Sequence, residues 1–306
     1  MPVSIVSTLY KSAPHLATFI TRCLALMTPN DELVLVDDGS PDDSLDIAHE
    51  FARSDRRITV VQLSRNFGHH RAILAGLGQA VGDRVFFVDS DLEEAPELLR
   101  EFSVLMEKSG ADVVFGIHEH SHGALWRRMT SKVFWRIFNW ASETETPLNI
   151  CNVRLMSRPY VDALLSLPEN NVFLGGLFHW VGFVQIAVPI QRSIRNSPTS
   201  YSLINRSALA VRSIVSFSNA PLKAMFVLGV VTSALSTLLG IYYAIRKIVD
   251  PTIQLGFTSL IISMWFLSGI IVACLGVIGI YLAYMYAETK RRPRVVIKEI
   301  FRLNEK

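Results

Sequence analysis

Cysteine is scarce and charge is sparse in this chain of 306 residues. The three cysteines, Cys23, Cys151 and Cys274, are scattered and odd in number, with no CxxC or Cys/His cluster. That excludes a disulfide scaffold and a structural zinc site, and reads as unpaired, reduced thiols. Charged residues are 19% of the chain, against about 25% in an average soluble domain. Hydrophobic residues are 50% and the mean hydropathy is +0.32. Disorder is excluded, and part of the chain is composed for surroundings other than water. A net charge of +3 is too mild to argue for nucleic acid. No dinucleotide fingerprint is present either, because Gly76-Leu77-Gly78 falls inside a helical pattern rather than after a strand. The length suits about two domains.

The apolar excess is gathered at one end. No charge occurs from Ala224 to Ile245, long enough at 1.5 Å per residue to span about 33 Å. After Arg246, Lys247 and Asp250, a second uncharged stretch runs from Pro251 to Ala287, with 255–281 as its core. Tyr242 and Tyr243, and Tyr281, Tyr284 and Tyr286, suit aromatic belts. Lys290, Arg291, Arg292 and Arg294 follow the second stretch, and the positive-inside rule puts that tail in the cytoplasm. Two crossings then return the N-terminal domain to the same side. Met1-Pro2 leads straight into a strand-like run without a secretory leader. Ile204, Ala208, Val211 and Val215 recur at helical spacing, with Arg206 and Arg212 elsewhere on the turn. This suits either an amphipathic helix on the membrane surface or an ordinary domain helix. Gly269-x-x-x-Ala273 and Gly276-x-x-Gly279 would let helices pack closely, which supports homo-oligomerisation. The organisation expected is a cytoplasmic domain over 1–200, a juxtamembrane helix over 201–222, a transmembrane hairpin over 223–287 and a basic cytoplasmic tail over 288–306.

In the first 200 residues short aliphatic runs predict strands over 3–9, 33–36, 59–63, 84–88 and 113–117. Helix-compatible stretches lie between them at 15–27, 44–53, 71–81 and 96–109. Such alternation predicts an α/β domain with a mostly parallel, Rossmann-like sheet. Ligands of such sheets bind beyond the carboxyl ends of the strands. There the second strand ends in Asp37-Asp38-Gly39-Ser40-Pro41. Its carboxylates either accept from a base N–H or ribose hydroxyl, or close the strand and cap the next helix. The fourth strand ends in Asp89-Ser90-Asp91. Alternation along an extended backbone aims both carboxylates the same way, and two hard oxygen ligands suit Mg²⁺ or Mn²⁺ with phosphate oxygens. Arg127, Arg128, Lys132 and Arg136 form a basic cluster at helical spacing, either a phosphate contact or a solvated face.

Asp37-Asp38-Gly39-Ser40, Asn66-Phe67-Gly68-His69, Asp89-Ser90-Asp91 and two C-terminal crossings closed by Lys290-Arg291-Arg292-Pro293 occur in that order. The chain thereby resembles the family 2 glycosyltransferases of GT-A fold over nearly its whole length. More narrowly it resembles the polyprenyl-phosphate glycosyltransferases, the group of dolichol-phosphate mannose synthase and the bacterial undecaprenyl-phosphate glucosyltransferases. The resemblance implies a nucleotide-sugar donor, a polyprenyl phosphate acceptor and a place in the bacterial inner membrane. It also implies that Asp38 and Tyr10 bind the nucleotide base, and that Asp89 and Asp91 hold the metal, with Glu93 where the family usually has glutamine. Arg128 and Lys132 would meet donor or acceptor phosphates.

The chain departs from the family at several places. Glu93-Glu94-Ala95-Pro96 replaces Gln-Asp-Pro-Pro, and Asn149-Ile150-Cys151-Asn152-Val153-Arg154-Leu155 replaces Asp-Ala-Gly-Asp-Phe-Arg-Leu. His118 stands for an arginine, and Ser200 for the lysine before Tyr201. With Asn149 and Asn152 the aspartate bases are absent. A sugar hydroxyl needs a base, whereas a phosphomonoester is largely dianionic at neutral pH, its second pKa being near 6. The reaction expected is therefore metal-dependent inverting transfer of a hexose, from a nucleotide-sugar expected to be UDP-linked, to undecaprenyl phosphate on the cytoplasmic leaflet. Two other readings stay open. One is transfer to a hydroxyl of a lipid or polysaccharide, with Glu93, Glu94, His69 or His70 as base. The other is a non-catalytic, membrane-anchored nucleotide-sugar-binding partner.

Overall fold

The computed structural model describes residues 1–118, 150–169, 174–190, 220–249 and 256–303. Contacts divide the chain into two compact units: Met1–Trp135, Thr144–Tyr201 and Arg291–Lys306 form the first, Arg136–Glu143 and Ser202–Lys290 the second.

In the first unit the alternation read from sequence is realised as strands β1 (Val3–Leu9), β2 (Glu32–Asp37), β3 (Ile58–Leu63), β4 (Arg84–Phe87) and β5 (Val113–His118). The intervening helices are α1 (Ala13–Leu26), α2 (Ser44–Ser54), α3 (His69–Gln79) and α4 (Leu98–Ser109). Three further elements follow, β6 (Ile150–Ser157), α5 (Arg158–Ser166) and α6 (Leu174–Trp180), and then β7 (Gln185–Ile190) and, from the C-terminus, β8 (Ile297–Arg302). The strands form one sheet in the order β7-β5-β6-β4-β1-β2-β3-β8. β1 pairs in parallel with both β2 and β4, and β2 with β3. β6 is antiparallel to β4 and β5, and β8 to β3. This is a GT-A-like mixed sheet with mostly parallel strands.

The strands read as unbroken aliphatic runs because both faces are covered. Ile5, Val6, Leu33, Val34, Leu35, Val36, Phe86 and Phe87 have no accessible surface, and each such side chain is worth roughly 1.5–3 kcal/mol. α1 has a proline in its first turn, where the missing N–H costs nothing, and buries Leu16, Phe19, Ile20 and Cys23 at helical spacing. Burial pushes the Cys23 thiol up to about 12, so it stays a small core hydrophobe rather than a nucleophile. α4 buries Leu99, Phe102 and Met106 and stops at Gly110 with φ 67°. α3 lies close on the sheet because Gly76 has no side chain. A Cβ there would stand 2.5 Å from Val6 Cγ1 and 2.9 Å from Val36 Cγ2.

Part of the segment expected as a basic tail over 288–306 joins the sheet. Its residues Ile297–Arg302 cover the outer edge of β3 as an antiparallel strand, and the Ser64 N–H donates to the Val296 carbonyl at 2.9 Å. Phe301 is partly buried against the core and meets the His49 ring edge-on, centroids 5.1 Å apart. Six residues with three charges carry little strand signal alone; the open edge of β3 supplies it.

The second unit contains α7 (Ala220–Val249) and α8 (Phe257–Thr289). Among the described residues one stretch, Ser263–Thr289 with mean hydropathy 2.4, is long and apolar enough to cross a membrane. The apolar part of α7, Ala224–Leu239, is shorter than the first crossing expected over 224–245. Residues 201–219, read as amphipathic, lie outside the described residues.

Replacing Gly76 by Leu should force α3 off β1 and β2 and cost about 2–3 kcal/mol, the order of an overpacked core. Thermal unfolding of the detergent-purified protein checks this, and an unchanged Tm would contradict the close approach.

Candidate active site

The strand order reverses at β1. From it the chain steps to β2 and β3 on one side, then returns to β4 on the other. The loops leaving β1 and β4 therefore part company above the sheet and leave a crevice at their carboxyl ends, where ligands of open α/β sheets sit. A cavity of about 240 Å³ lies there, lined by Thr8, Tyr10, Lys11, Ser12, His15, His69, Asp89, Ser90 and Asp91.

Hydroxyls lock the two loops together. Ser90 Oγ donates to the Thr8 carbonyl at 2.9 Å and lies 2.9 Å from Ser12 Oγ. The Tyr10 N–H donates to Ser12 Oγ at 3.2 Å, and the Ser12 N–H to Ser44 Oγ at 2.9 Å. Ser90 is buried, so the middle residue of Asp89-Ser90-Asp91 faces the fold while its two neighbours face the cavity. Strain gathers at the rims, where Lys11 (φ 58°) and Leu92 (φ 61°) hold left-handed backbone without being glycine.

Asp89 keeps 23% of its side-chain surface accessible. Its pairing with β6 brings a third group in, because the antiparallel register sets Phe87 opposite Arg154 and so Asp89 near Asn152. Asn152 Nδ2 donates to Asp89 Oδ2 at 3.2 Å and lies 3.1 Å from His69 Nε2. His69 Nε2 is 3.5 Å from Asp89 Oδ1, and its Nδ1 is 3.1 Å from Thr8 Oγ1. Burial holds the Asp89 carboxyl above the usual carboxylate range, against the pull of His69 and of the Asn152 hydrogen bond. Arg154, almost wholly buried, anchors the strand beneath. Its Nε donates to the Asn152 carbonyl at 3.0 Å and an Nη to that of Cys151 at 3.2 Å, while the guanidinium stacks 3.2 Å from the Phe178 ring centroid.

A carboxyl above its usual range gains most from a cation. Among the described residues no three His, Cys, Asp or Glu side chains stand ready to hold a metal. Glu93, expected as a third ligand, gives its backbone N–H to Asp91 Oδ1 at 3.0 Å and does not line this cavity. Two hard carboxylates on one cavity still fit Mg²⁺ or Mn²⁺, which are bound by one or two carboxylates with substrate phosphates completing the shell.

Asp38 lies elsewhere. It is buried and accepts from the backbone N–H groups of Phe67 at 2.7 Å and Gly68 at 3.0 Å. Burial raises its pKa, and these two bonds lower it. It thus ties the turn before α3, which carries His69, to the end of β2. Gly39, at φ 66°, makes the junction possible, since a Cβ would stand 2.7 Å from the Asn66 nitrogen. Tyr10 borders the cavity and is half exposed. Arg128, Lys132, Asn149, Ser200 and Tyr201 lie outside the described residues. Lys11 and His15 were not among the residues picked out from sequence. The rule that ligands sit above a reversal of strand order would have found them, had the order been known.

A mixed, mostly parallel sheet of this order, with an acidic pair at its reversal, is a GT-A-like fold. The pattern of Glycosyl transferase family 2 matches residues 4–165, and the chain belongs to that family. A Mycobacterium tuberculosis protein named as a glycosyltransferase is 38% identical over 304 residues, 98% of this chain and 89% of that one. The SfII prophage-derived bactoprenol glucosyl transferase of Shigella flexneri is 34% identical, with 89% of each chain covered. The prophage bactoprenol glucosyl transferase homolog of Escherichia coli is 33% identical, with 88% of each covered.

Asn152→Asp should set a second carboxylate against Asp89 where a donor now stands, destabilising the metal-free protein by about 1–3 kcal/mol. Differential scanning fluorimetry at pH 7 should show a lower Tm without divalent ion and a larger rise when Mn²⁺ is added. An unaltered Tm would show that the Asn152 contact with Asp89 carries no weight.

Proposed function

We propose that the protein transfers a hexose from a nucleotide-sugar, UDP-linked in this reading, to polyprenyl phosphate on the cytoplasmic leaflet, with inversion. The observation that carries the proposal is the pair Asp89 and Asp91 on one cavity at the strand-order reversal, in a chain that covers most of its length with proteins named as bactoprenol glucosyl transferases.

Asp89 and Asp91 would hold the divalent ion, which supplies charge neutralisation to the departing nucleoside diphosphate. Thr8, Ser12 and Ser90 keep the two carboxylate-bearing loops in register, and Asn152 fixes one oxygen of Asp89. Tyr10 at the rim and Asp38, which keeps lone pairs beyond its two backbone bonds, would receive the base. Arg128 and Lys132 remain the proposed phosphate contacts. An acceptor phosphate oxygen attacks the anomeric carbon as the bond to the diphosphate breaks, and UDP departs. Asn152 cannot take a proton, and a phosphate dianion gives none up.

The membrane part follows from chain direction. β8 lies in the same sheet as β1, so the chain rejoins the unit it left, and any crossings between are even in number. A crossing by α8 therefore asks for another by α7. Trp265, Phe266 and Val272 on α8 are 78%, 66% and 67% exposed, which suits lipid contact. Lys290, Arg291, Arg292 and Arg294 after α8 favour the cytoplasmic side. A Cβ added at Gly269, Gly276 or Gly279 would meet nothing within 4 Å beyond its own helix backbone, leaving a face open to self-association.

The position of His69 beside Asp89 favours one alternative, a hydroxyl acceptor with His69 as base. Incubation of the purified protein with undecaprenyl phosphate, Mn²⁺ and radiolabelled UDP- and GDP-sugars separates the two. Metal-dependent label in a mild-acid-labile lipid is the expected result; acid-stable label on an added glycolipid would favour the hydroxyl reading, and no label from any donor would overturn both. In the same assay Asp91→Ala should lower turnover by roughly a hundredfold or more with Tm unchanged, and full activity would remove the metal assignment.

A further inference from the structure

Lys11 sits in a conformation that its residue type disfavours. At φ 58° it occupies the left-handed region, which costs an ordinary side chain and which glycine or asparagine would enter more easily. The backbone does not explain a lysine there, so the side chain must. Its ammonium makes no ion pair among the described residues, and its one recorded contact is with the face of the Tyr10 ring, 5.7 Å from the centroid. It lines the same cavity as Asp89 and Asp91 and bonds to neither. The other described lining groups are hydroxyls, the Tyr10 phenol and the imidazoles of His15 and His69. Lys11 is the one lysine or arginine among them.

Charge balance says what such a group is for. Two carboxylates offset the charge of a divalent ion. A nucleoside diphosphate then brings negative charge that the ion and carboxylates together leave uncompensated. That charge grows as the sugar departs, so a cation at this point is worth more in the transition state than before it. We infer that Lys11 is a donor-binding residue, its ammonium taking the diphosphate of the nucleotide-sugar while the left-handed backbone at 11 holds the side chain over the cavity. The inference rests on the proposed nucleotide-sugar reading and adds to it a specific phosphate contact on the loop after β1.

Isothermal titration of the full-length protein in detergent tests it, with Mn²⁺ present and with UDP and uridine as probes. Lys11→Asn relieves the backbone strain, so its Tm should be equal to or above that of the parent. Its Kd for UDP should nevertheless rise about tenfold, as for the loss of one charge-assisted contact, with uridine affinity unchanged. Lys11→Arg should stay within about threefold of the parent. Lys11→Gln keeps the test open should Lys11→Asn fail to fold, and should lose UDP affinity to the same degree. UDP binding by Lys11→Asn or Lys11→Gln as tight as the parent's would overturn the inference while leaving the nucleotide-sugar reading intact. An equal loss for uridine would overturn it too, since the phosphates would then not be what Lys11 holds. Failure of the parent to bind UDP or GDP at all would remove the nucleotide-sugar reading itself, and the inference with it.

Discussion

β1 runs parallel to β2 on one side and to β4 on the other, and the rest of the site depends on that arrangement. Crossovers between parallel strands keep one hand, so the loop after β1, which leads to β2, and the loop after β4, which leads to β5 on the other side, cannot cover the same ground. The crevice between them is a consequence of chain direction, before any side chain is considered. Into it the loop after β1 delivers Tyr10, Lys11 and Ser12, and the loop after β4 delivers Asp89, Ser90 and Asp91. The small hydroxyl residues at 8, 12, 44 and 90 convert this meeting into a fixed geometry, since each bonds across from one loop to the next.

Charge is distributed around the crevice with the same logic. Asp89 lies where burial disfavours its ionised form, and the groups that compensate, Asn152 and His69, arrive from β6 and from the start of α3. Asn152 is a donor where the resemblance would have an aspartate, so the contact that steadies Asp89 also removes a base. A transferase whose acceptor arrives already ionised can accept that exchange. Arg154 supports it from beneath by bonding the carbonyls of Cys151 and Asn152, its charge screened by aromatic faces rather than by a carboxylate.

β8 closes the sheet and ties the chain's end to its beginning. A strand-forming tail after α8 prevents the β3 edge from pairing elsewhere.

Much was legible in the residues themselves. Continuous aliphatic runs identified β1 to β5 within a residue or two, because strands buried on both faces have no choice of composition. The absence of charge over 224–245 and 251–287 marked the apolar helices, and among the described residues one stretch, in α8, is long and apolar enough for a full crossing. Asp89 and Asp91 could be chosen because their motif follows a hydrophobic strand and alternation points both the same way. Other features needed the fold. Strand order leaves no local trace, so nothing near Lys11 announced a cavity. The acidic turn at Asp38 was legible, but the backbone N–H groups of Phe67 and Gly68 that bond to it come from a turn about thirty residues on. The turn that joins the Glu93 backbone N–H to Asp91 Oδ1 was not legible either. The pairing of residues 297–302 with β3 is decided by an edge more than two hundred residues away. Local composition set the elements and the acidic pair, because burial and alternation act over a few residues; long-range pairing alone decided which groups meet, because sheet order is settled by contacts that no short stretch of chain contains.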